Sequence, residues 1–168
     1  MTKRGILLLS LAVMQAGFCT AADPGAATQG TLKINGKEIQ LAHYAKAFIG
    51  EGNVTVEVAP YKSGDKEGAI LLFHGVESPW DGKAIVHEVR SDARIGREDY
   101  ATTYKGDEWV TLAIRQNPYG REKTIELSVP EMKGSIQLAP SDGAAQLTSP
   151  LKIFQVYQDQ QSTKGASK

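Results

Sequence analysis

Residues 30–45 read GTLKINGKEIQLAHYA. Leu32 and Ile34 alternate with Lys33, Ile39 and Leu41 alternate with Glu38 and Gln40, and Asn35-Gly36 stands between the two runs. Asn-Gly between alternating runs is the strongest short-range hairpin signal, because both residues of the turn need positive φ. A two-residue loop pairs Ile34 with Lys37, Lys33 with Glu38 and Leu32 with Ile39. That register places the apolar pair on one face and the opposite charges on the other, so pattern and turn agree.

The same period of two recurs along the chain, and helical periodicity does not. Further strands are expected at Val54 to Ala59, Ala69 to His74, Ala84 to Arg90, Tyr100 to Tyr104, Trp109 to Arg115, Thr124 to Val129, Ser135 to Ala139 and Leu151 to Tyr157, each bounded by Gly, Pro, Asn or Asp. Ile70 to Phe73 is apolar on both faces and is expected to be a central strand covered on both sides. Ala42 to Ile49 either extends the second strand or forms a short helical turn. Short strands with turn signals about every ten residues indicate an all-β fold, a sandwich or a small barrel. The irregular alternation favours an antiparallel β-sandwich of eight to ten strands.

The chain ends read differently. Lys3 and Arg4 precede an apolar run from Ile6 to Met14, and small residues follow, which is the build of a secretory signal peptide. The run is shorter than the roughly 20 residues a membrane span needs, so no transmembrane segment is expected in the mature form. Cleavage after Ala21 or Ala22 removes Cys19, the one cysteine, and leaves a mature protein without a disulfide. Lipidation at Cys19 is disfavoured by the bulky Phe18 before it. The expected organisation is a signal peptide over 1–21, a flexible linker over 22–29, a β-sandwich domain over 30–158 and a disordered tail over 159–168. The expected location is the periplasm or the exterior.

Charge narrows the choice of partner. The chain carries 19 basic and 19 acidic residues, and loss of Lys3 and Arg4 leaves 17 against 19. Without a basic surplus there is no electrostatic case for nucleic acid.

Motifs for chemistry are incomplete. His87-Glu88 begins like a zinc-protease helix, but the second histidine would fall on Ser91, and AIVHEVR alternates like a strand. No G-x-S-x-G elbow and no phosphate-cradling glycine loop before a helix is present. His43, His74 and His87 are the residues a metal site would draw on, yet His43 is in phase with Ile39 and Leu41, and His87 with Ile85 and Val89, as packed histidines would be. No cofactor and no metal is expected.

What remains is loop chemistry. Ser78-Pro79-Trp80-Asp81-Gly82 and Asn117-Pro118-Tyr119-Gly120-Arg121 each set an aromatic residue in a turn, and residues 92–99 read DARIGRED. Trp80, Asp81, Arg94, Arg97, Tyr119 and Arg121 are the candidate binding residues, because exposed aromatics beside polar groups hold sugar or protein partners. The competing reading is that Trp80 and Tyr119 fold back to cap the ends of the fold.

Gly30, Leu32, Ile34, Asn35, Gly36, Ile39, Leu41 and His43, with Tyr44 and Ala45 after them, resemble the opening of exported bacterial proteins of unknown function, where it follows a signal peptide. The resemblance implies an all-β envelope protein and carries over no catalytic residue. The resulting expectation is an exported non-catalytic protein that binds a protein or other envelope macromolecule, for which an inhibitor or protective partner of an envelope enzyme or toxin is the fitting role. The alternatives are an envelope hydrolase with a histidine-centred site and a periplasmic metal-binding protein.

Overall fold

The computed structural model describes residues 32–117 and 122–165. The hairpin that opens the fold consists of β1 (Leu32–Ile34) and β2 (Lys37–Leu41), joined at Asn35 and Gly36 with φ of 50° and 77°. All three pairings expected from the sequence are present: Leu32 with Ile39, Lys33 with Glu38, Ile34 with Lys37.

Eight further strands follow: β3 (Lys46–Gly50), β4 (Thr55–Ser63), β5 (Lys66–His74), β6 (Ala84–Asp92), β7 (Arg97–Tyr104), β8 (Asp107–Gln116), β9 (Lys123–Leu127) and β10 (Ile136–Pro140). Each pairs antiparallel with the next in sequence, and β10 returns to pair with β3. The eight strands therefore close into an up-and-down barrel, and the expected sandwich is corrected to that extent. The antiparallel all-β class holds. Closure depends on one pairing between strands almost ninety residues apart, Leu138 with Gly50 through Pro140 with Phe48, which local alternation does not report. The hairpin sits outside the ring, where β2 pairs with the far part of β4 at Gln40–Lys62 and Leu41–Tyr61.

The stretch read as ambiguous, Ala42 to Ile49, contains a bend and then β3, a strand of its own. The strand expected over Leu151 to Tyr157 is instead part of a helix. α1 (Asp142–Leu147) is followed by α2 (Pro150–Gly165), which also runs through most of the stretch read as a tail. The buried residues Pro150, Ile153, Phe154 and Tyr157 recur at i, i+3, i+4 and i+7, a helical stripe that overrides the local alternation. Pro150 occupies the first helical position, where its missing N–H costs nothing, and the Ser149 hydroxyl accepts from the Lys152 N–H at 3.3 Å.

Two apolar clusters result. Inside the barrel, Phe48, Val56, Val58, Ala69, Leu71, Phe73, Leu112, Ile114, Ile125, Leu127 and Leu138 interdigitate around the axis. Outside it, Ile153, Phe154 and Tyr157 of α2 pack with Ala59, Ile70, Leu72, Ala84 and hairpin residue Ile34. β5 is thus apolar on both faces because it has the barrel core on one side and α2 on the other, as its sequence requires. Gly68 lies on the outer face, where a Cβ would fall 2.3 Å from the Tyr61 ring, so only glycine lets that ring lie across the strand. Among the described residues no helix is long and apolar enough to cross a membrane.

Candidate functional site

The barrel has two unlike ends. At the end where β5 turns into β6, Val76, Trp80, Val129 and the partly buried Met132 and Tyr104 fill the opening. Trp80 is 6% exposed, with its ring packed against Phe73, His87 and Tyr104 at centroid distances of 5.6, 6.3 and 5.8 Å. The loop that delivers it is tied down: the Ser78 hydroxyl donates to the Pro130 carbonyl at 2.8 Å and the Asp81 carboxylate accepts from the Val76 N–H at 3.3 Å. Trp80 therefore plugs this end of the barrel, and Asp81, exposed beside it, helps to hold its loop.

At the opposite end the barrel is polar and open. Period-two alternation turns Lys46 to the same side as Phe48, and Glu98 to the same side as Tyr100, so both charges point inward at the mouth. Lys46 Nζ lies 3.2 Å from Glu98 Oε1 and 3.4 Å from the Tyr100 hydroxyl, which itself donates to Glu98 Oε1. Burial and the neighbouring carboxylate push the Tyr100 phenol well above its ordinary pKa, so it stays protonated and donates. The Lys46 and Glu98 side chains remain 36% and 27% exposed, reachable from solvent yet partly withdrawn from it.

These groups floor a cleft of about 370 Å³. Leu41, Pro60, Val89 and the Tyr100 ring give it apolar walls, Lys62 and Glu67 stand at its edge, and His43 and Tyr44 line it from the bend between β2 and β3. Tyr44 is 67% exposed.

The other sequence candidates lie elsewhere. Arg94 is paired with Asp92, its own hairpin neighbour, at 3.3 Å. Arg97 pairs with Asp99, which also accepts from Arg115 across the strands. The β6–β7 hairpin carrying Arg94 and Arg97 is at the open end, whereas Trp80 is at the sealed one, so they share no surface. Tyr119 and Arg121 lie outside the described residues.

The three histidines do not converge. His43 is exposed in the bend, a correction to its expected packing role. His74 is on the outer wall, 3.8 Å from Glu57. His87 is 1% exposed inside the barrel. Its Nδ1 lies 2.9 Å from the Ile85 carbonyl, an acceptor only, so Nδ1 carries the proton and Nε2 accepts from the Thr111 hydroxyl at 2.9 Å. A hydroxyl beside an imidazole is the pairing that nucleophilic catalysis uses, but Thr111 and His87 are both closed off in the barrel interior, with the Trp80 ring against the imidazole. Among the described residues no group of three or more His, Cys, Asp or Glu side chains is gathered to hold a metal ion.

Lys46, Glu98 and Tyr100 were not singled out by sequence. The available signal was a charge in phase with an inward aromatic, Glu98 before Tyr100 and Lys46 before Phe48; it becomes legible once the barrel defines which face is inside. Comparison with family models, with curated proteins and with solved structures found no match.

Proposed function

We propose that the protein is an exported, non-catalytic binding protein that takes its ligand at the barrel mouth above Lys46, Glu98 and Tyr100. One observation carries the reading: a cleft of about 370 Å³ combines apolar walls with a fixed pair of opposite charges at its floor. Concave, mainly apolar sites with a few placed polar groups are the usual form of a small-ligand site, and here the cleft lies at the mouth, above the side chains that fill the barrel. The sealed, side-chain-filled end leaves the open mouth as the face on which a ligand gains enclosure.

Export is supported by the basic start, short apolar run and small-residue exit at residues 1–22, and by the resemblance of residues 30–45 to exported bacterial proteins. The intact mass of protein recovered from a bacterial periplasm is expected to correspond to a chain beginning at Ala22 or Asp23; a chain retaining Met1 would remove that part of the reading.

Binding is tested by a ligand-observed NMR screen of small amphipathic molecules against the wild type and Val89→Trp, whose indole fills the cleft. Hits on the wild type that disappear with Val89→Trp are expected. Equal hits on both proteins, or none on either, would overturn the assignment of the mouth as the site.

A further inference from the structure

The cleft's chemistry narrows what it takes. Its lining carries Lys46 and Lys62 against Glu67 and Glu98, so the formal charges cancel and a ligand of net charge gains nothing from the site as a whole. Locally, however, a cation and an anion are held side by side, with Lys46 Nζ 3.2 Å from Glu98 Oε1. A lysine ammonium has three donors, of which two are directed to Glu98 and Tyr100, leaving one for a ligand acceptor. Both donors to Glu98, from Lys46 and Tyr100, meet at Oε1, leaving Oε2 for a ligand donor.

We propose that the cleft selects a small zwitterion with an apolar body, an α-amino acid of the size of leucine or phenylalanine, its carboxylate at Lys46 and its ammonium at Glu98. The proposal rests on the reading of the mouth as a binding site and specifies its ligand. Size agrees with charge: at water's share of about 30 Å³ per molecule of liquid, the cleft of about 370 Å³ corresponds to about a dozen waters, which leaves room for an amino acid of that size. Leu41, Pro60 and Val89 provide the apolar wall for the side chain. Partial burial matters because a fully solvated ion pair would leave its charges satisfied by water and discriminate little.

Isothermal titration calorimetry with L-phenylalanine, N-acetyl-L-phenylalanine and L-phenylalanine amide separates the parts, since the second compound lacks the cation and the third the anion. The free amino acid is expected to bind at least tenfold tighter than either derivative. Lys46→Met and Glu98→Gln are each expected to weaken it at least tenfold, while Arg90→Gln, on the outer wall, leaves it unchanged; a melting curve for each variant verifies that it is folded. If all three compounds bind equally and Val89→Trp abolishes them all, the ligand class is wrong and the site stands. If none binds with a Kd tighter than about 10 mM while other amphipathic molecules still bind at the mouth, the class is likewise overturned. If nothing binds there at all, both readings fall.

Discussion

At the scale of single residues, burial governs His87. Enclosure among Phe73, Trp80 and Thr111 disfavours the charged ring and lowers its pKa from 6.5 to about 4, against the Ile85 carbonyl bond that favours the proton. Between those two values the unfolded chain binds a proton that the folded one refuses, so stability falls as pH drops from about 6.5 towards 4. The shift corresponds to about 3 kcal/mol. Urea denaturation at pH 7 and at pH 4 is expected to show that loss in the wild type and much less of it in His87→Gln; a wild-type stability that stays level across this interval would contradict the enclosure. Asp99 behaves in the opposite sense. Its burial raises the carboxyl pKa, yet hydrogen bonds and charge from Arg97 and Arg115 outweigh this and hold it below the ordinary range. Its contribution is therefore present at neutral pH and lost in strong acid. Because both arginines are about half exposed, Asp99→Asn is expected to cost only about 1 kcal/mol at pH 7 by denaturant titration.

At the scale of elements, α2 is the piece whose packing decides most. Phe154 is fully buried between the helix and the outer face of β5. Phe154→Ala is expected to destabilise by about 3–5 kcal/mol, read from the urea midpoint, because it removes apolar burial and opens a cavity over Ile70 and Leu72. A smaller exchange, Gly68→Ala, would drive a methyl into the Tyr61 ring and is expected to lower the melting temperature while leaving the hairpin register intact. How legible each element was in the sequence follows from what determines it. The β1–β2 hairpin was readable to the residue, since an Asn-Gly turn and two alternating runs are local facts. β5 was readable as doubly covered because its apolar run needs no partner to be recognised. α2 was misread since LKIFQVY satisfies a strand pattern and a helical stripe alike; the Ser149-Pro150 start and the spacing of Ile153, Phe154 and Tyr157 tip it towards helix.

At the scale of the whole molecule, closure of the barrel makes the site. Until β10 pairs with β3, Lys46 and Glu98 are charges on separate strands with no common interior; after closure they face each other across a mouth. That is why sequence reading reached the all-β class but chose a sandwich, and why it sought function in aromatic loops. The irregular alternation that argued against a barrel comes from features inside the ring: the inward His87, the bulge between Tyr100 and Ala101, and the charges at the mouth. One end is sealed by a tryptophan the sequence offered as a binding residue, and the floor of the open end is built from Lys46, Glu98 and Tyr100, which it did not offer. The most direct measurement is a ¹H–¹⁵N chemical-shift map of the uniformly labelled protein titrated with the tightest molecule from the amphipathic screen. Saturable shifts gathered at Lys46, Val89, Glu98 and Tyr100, with the Trp80 loop unmoved, are the expected result; shifts centred on residues 76–83, or spread without saturation over the outer wall, would contradict it.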